Sequence, residues 1–86
     1  MEMQTPDFAE NLAEEIRVEM ARQRRSNHDL AVELGVTDHT AGRRVNGEVP
    51  FNASDLAAVS EWLNIDIVAL VKRATGRATH KEAIAA

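Results

Sequence analysis

The sequence contains no cysteine, which excludes disulfides and thiolate-bound metal and fits a reducing compartment. Tyrosine is also absent, and Phe8, Phe51 and Trp62 are the whole aromatic complement. No apolar run approaches the roughly 20 residues that span a bilayer. The stretch MEMQTPDFAE is acidic and has no apolar export core. A cytoplasmic protein without a membrane partner is expected. Missing, too, is any glycine-rich phosphate loop. His28, His39 and His80 lack metal-ligand spacing, and Ser26, His28 and Asp29 crowd together on the wrong helical faces for a triad. No metal, cofactor or small-molecule ligand is expected, and no enzyme.

What is present is 86 residues rich in Ala, Leu, Val and Glu, enough for one domain and biased toward helix. The net charge of −4 argues at first against nucleic acid, but its distribution is uneven. Glu2, Asp7, Glu10, Glu14, Glu15 and Glu19 face only Arg17 near the start. Arg22, Arg24, Arg25, Arg43 and Arg44 then outnumber Asp29, Glu33 and Asp38. Lys72, Arg73, Arg77 and Lys81 follow against Glu82. An acidic domain can still carry one basic face, and the local face decides what binds.

Phe8, Leu12, Ile16 and Met20 recur every fourth residue, which predicts a helix from about Asp7 to Arg25. Ser26 or Asn27 caps a second short helix with Leu30, Ala31 and Leu34 inward and Gly35 at its C-terminal cap. Thr37 caps a third, with Asp38 at its positive end, running to about Asn46 and stopping at Gly47. Asn52 or Ser54 opens a fourth, burying Leu56, Val59 and Leu63 with Trp62. Asn64 interrupts the pattern. From Asp66 a fifth helix carries Ile67, Leu70 and Val71 inward and ends at Gly76. These boundaries imply a domain over 1–76 and a flexible tail over 77–86. The absence of strand-like alternation makes the fold all-α.

Two short helices joined by the tight turn Gly35-Val36-Thr37 form a helix-turn-helix. Ala31 must be small where the helices cross, Gly35 supplies the positive φ, and Val36 seals the corner. Ser26-Asn27-His28-Asp29-Leu30-Ala31-Val32-Glu33-Leu34-Gly35-Val36-Thr37, followed by Asn46-Gly47, resembles the Cro/phage-repressor (Xre-type) helix-turn-helix family. Asp55 to Ile65 is similar to that family's fourth helix, and the likeness covers about residues 12 to 73. It implies a five-helix DNA-binding domain with the helix-turn-helix at helices 2 and 3. It also implies a phage-type repressor or Cro-like regulator that binds double-stranded operator DNA, in bacterial host cytoplasm if phage-encoded.

On a helical wheel Asp38, His39, Gly42 and Arg43 share one side and Ala41 lies on the other. The resemblance makes Asp38, His39, Thr40 and Arg43 base-contacting. Gly42 joins them because a missing side chain lets the backbone approach DNA closely. Arg43 has the reach and fork geometry for guanine O6 and N7. Asn27 matches a phosphate-holding position, and Asn46, Arg25 and Arg44 are further phosphate candidates. Arg44 stands where the family is usually apolar, so a phosphate and a nearby acid are both open to it. Packing alone is the competing account of Gly42.

Family dimers often form through the fifth-helix region, which here offers Trp62, Ile65 and Val68 for a homodimer. A second class of reading is a protein-binding module, such as an antirepressor or antitoxin-like partner. A positive face along the third helix favours DNA, whereas an apolar patch over Trp62 favours a protein. The ending Ala83-Ile84-Ala85-Ala86 reads either as disorder or as similar to small-apolar tags recognised by bacterial unfolding proteases.

Overall fold

In the computed structural model the backbone is described for residues 6–85 and the side chains for residues 8–76. Five helices follow in order: α1 (Pro6–Arg22), α2 (Asn27–Leu34), α3 (Asp38–Val45), α4 (Ala53–Leu63) and α5 (Ile67–Ala85). No strand occurs among the described residues, so the all-α expectation holds. None of these helices is long and apolar enough to cross a membrane.

The helix boundaries follow from local capping chemistry. Ser26 accepts from the Asp29 N–H, and Asp29 accepts from the Ser26 N–H at 2.8 Å, closing a capping box over the start of α2. Asn52 and Asp55 form the same box at α4. Thr37 caps α3 by accepting from the Thr40 N–H at 3.1 Å. At the opposite ends, Gly35 adopts φ 69° and Asn64 φ 59°, the left-handed conformation that stops a helix. Gly47, at φ 81°, turns the chain beneath α1, where an added Cβ would stand 3.5 Å from Glu10 Cγ.

α1 stops at Arg22, three residues before its expected end. The cause is a left-handed Arg24, whose N–H reaches Ala21 O at 3.1 Å while that of Arg25 reaches Met20 O at 2.9 Å. That pattern is a Schellman stop built without glycine. At the other end of the chain, α5 runs through Gly76, where an end was expected, to Ala85. Gly76 has no positive φ, and the Arg, Ala, Lys and Glu residues after it favour helix enough to offset about 1 kcal/mol. The proposed tag at Ala83–Ala86 and the rest of the expected tail lie outside the residues whose side chains are described.

The core joins Leu12, Ile16 and Met20 of α1 to Leu30 and Ala31 of α2, Ala41 and Val45 of α3, Val59 and Leu63 of α4, and Leu70 and Ala74 of α5. Phe8, expected inside, is 38% exposed, so the apolar stripe of α1 begins one turn later, at Leu12. Ala74 joins the core unheralded, in phase with Leu70 one turn before it. α1 packs against α5 and α3, and α2 against α3 and α4. Among the described residues, nothing covers the outer side of α3.

Candidate nucleic-acid interface

With eight residues, α3 is too short to persist on its own in water, so its stability comes from what it touches. Only Ala41 and Val45 are buried, one turn apart on its inner side. Two polar ties reinforce this shallow seat. Arg17 of α1 donates from Nη1 to Val45 O at 2.7 Å, placing a cation on a terminal carbonyl where the helix dipole favours it. Arg44 Nη1 donates to Asp55 Oδ2, and the two side chains are 18% and 14% exposed. Thus Asp55 serves both the α4 cap and the end of α3. Of the two destinations open to Arg44, its side chain is seen at the acid.

On the outer side, Asp38, His39, Arg43 and Asn46 are exposed and Gly42 is half-buried, at positions that follow one helical stripe. Thr40 is half-buried and its hydroxyl accepts from Thr37 at 3.0 Å, which ties it into the cap. Gly42 faces the amino end of α2: an added Cβ would lie 3.8 Å from Asn27 Nδ2. Asn27, matched by the resemblance to a phosphate-holding position, therefore lies against the middle turn of α3.

Charges on this side are partly paired with their own neighbours. His28 Nδ1 lies 3.0 Å from Asp38 Oδ1, linking α2 to the first residue of α3. Arg43 Nε lies 3.6 Å from Glu48 Oε1, in an exposed pair of the weak kind. Neither pair was anticipated, because both link residues that no helical period relates. Arg25 is engaged elsewhere, with its guanidinium carbon 4.6 Å from the Trp62 ring centroid. It stands over Trp62 of α4.

Two carboxyls titrate below the ordinary range. The Ser26 N–H, then the Ser26 hydroxyl, hold Asp29 down. The Gln23 amide holds Glu19 down, helped by Arg22 and Arg73. Both shifts belong to helix ends and helix pairing, not to a reactive centre.

Arg25 and Trp62 also line an open groove of about 470 Å³ with His28, Asp29, Val32 and Glu33. Val32 is 69% exposed at its edge. Of the expected dimer residues, Val68 is 53% exposed, while Trp62 and Ile65 are half-buried against the core.

Neither a protein-family model nor a curated protein sequence matches the chain. Among solved structures, the fold is similar to that of the clp gene regulator ClgR from C. glutamicum, with a TM-score of 0.73. The two are 20% identical over 81% of this chain and 91% of that one. The likeness supports the five-helix architecture with a helix-turn-helix at α2 and α3.

Proposed function

We propose that the chain is a sequence-specific, double-stranded-DNA-binding transcriptional regulator of the phage-repressor or Cro-like kind. The observation that carries the reading is the uncovered stripe of Asp38, His39, Gly42, Arg43 and Asn46 on a short helix held from behind. In this reading α3 enters a major groove with its amino-terminal half leading. Asp38, His39, Thr40 and Arg43 read base edges, and Gly42 lets the backbone close on them. Arg43 exchanges its weak Glu48 pair for a guanine, and His28 releases Asp38 to a base donor. Asn27 and Asn46 hold phosphates on either side. Arg25 reaches a phosphate only by leaving Trp62, and Arg44 acts by setting the pose of α3. Residues 1–76 form the binding domain, and Trp62, Ile65 and Val68 are the surface for a homodimer. No enzymatic step is assigned.

The groove edged by Val32 and Trp62 favours a second reading, a protein-binding module of the antirepressor or antitoxin kind. Backbone amide shifts during titration with mixed-sequence duplex separate the two. Shifts concentrated at Asn27, His28 and residues 37–47 are expected. Shifts absent from α3 would overturn the DNA reading and leave the groove as the working surface.

A further inference from the structure

We infer that Arg24 is an additional backbone-phosphate contact, an inference that rests on the DNA-binding reading above. Arg24 adopts φ 58° at the stop of α1. Glycine meets no steric penalty there and asparagine a small one, whereas a long side chain is disfavoured. Fold stability alone therefore does not account for arginine at this position.

Its side chain is also unlike those of the other described arginines. Arg17 pairs with Glu14, Arg22 and Arg73 with Glu19, Arg43 with Glu48, and Arg44 with Asp55. Arg25 lies on Trp62. Among the described arginines, Arg24 is exposed with no side-chain partner. It is held by its backbone alone, through the bond from its N–H to Ala21 O.

Position supplies the proximity. Arg24 precedes the α2 cap Ser26 by two residues and Asn27 by three, a span of at most about 11 Å of chain. The amide of Asn27 lies against Gly42, in the middle of the proposed reading helix. A DNA strand close enough to touch Asn27 thus passes within range of a free guanidinium. The planar fork of an arginine fits two phosphate oxygens at once. Such a contact adds affinity to every sequence alike and carries no base information.

The test uses the full chain, with Arg24→Gly, Arg24→Asn and Arg24→Lys beside the wild type. Each is unfolded in denaturant and titrated with one mixed-sequence duplex at several salt concentrations. The Gly and Asn variants are expected to unfold at higher denaturant yet bind more weakly. Their plot of log affinity against log salt should be shallower by about 0.9, the loss of one phosphate contact. The Lys variant should keep the wild-type slope and gain no stability. Gly and Asn variants with wild-type affinity and slope would overturn the inference while leaving the DNA reading intact. A wild type that binds no duplex would overturn both.

Discussion

An added Cβ at Gly42 would meet Asn27 Nδ2 at 3.8 Å, an ordinary van der Waals contact, and the residue has no positive φ. Packing between α2 and α3 therefore does not require glycine. The penalty of about 1 kcal/mol relative to alanine is left uncompensated within the fold. Gly42→Ala is predicted to raise unfolding stability by up to about 1 kcal/mol and to weaken duplex binding, since the new methyl stands on the outer stripe. Denaturant unfolding and a binding titration on the same preparation check both signs. A stabilised variant with unchanged affinity would return Gly42 to a role without DNA. The glycine and its arginine neighbours are thus separable in purpose: Arg43 points outward and Arg44 is pinned inward.

α3 depends on its neighbours at both ends, through Arg17 to Val45 O and through Arg44 to Asp55. Asp55→Ala removes a cap contribution of about 1 kcal/mol and also strands a mostly buried guanidinium. A total loss of about 3 kcal/mol is predicted, whereas Arg44→Met should cost less than about 1, because an apolar side chain leaves no charge behind. The double variant should then be more stable than Asp55→Ala alone, as a double-mutant cycle in denaturant would measure. Additive losses would contradict the strut. An Arg44→Met variant with normal stability but a shallower salt dependence would restore Arg44 to a phosphate. The cap at Thr37 and the stops at Gly35 and Asn64 were legible in the sequence, as were the caps of α2 and α4 to within a choice of Ser26 or Asn27 and of Asn52 or Ser54, because each signal spans only three or four residues. The stop at Arg24 was not, since arginine carries no propensity for that conformation. Nor was the tie from Arg17, and for Arg44 the sequence offered an acid as one of two destinations without singling out Asp55, because these ties depend on tertiary approach across 28 and 11 residues.

At the scale of the whole molecule, the proposed function requires a net charge of −4 to coexist with a face that approaches a polyanion. The ion pairs show part of the solution: Glu14 and Glu19 on α1 are neutralised by Arg17, Arg22 and Arg73. The turn between α1 and α2 and the outer side of α3 retain Arg24, His39 and Arg43. The architecture was readable from hydrophobic period and turn chemistry, which place α2 and α3 correctly. The stripe on α3 followed from the same wheel. The pairing of its charges, His28 with Asp38 and Arg43 with Glu48, did not, because side-chain partners in exposed positions leave no periodic trace. The central claim is that this stripe reads sequence. Selection of bound duplexes from a random pool at about 0.15 M salt, read by sequencing, tests it most directly. The account predicts a short enriched motif. The Arg43→Ala protein should enrich the same motif with one position relaxed, a loss of about 1–3 kcal/mol of discrimination there. A pool that emerges unenriched with the wild-type protein would contradict it.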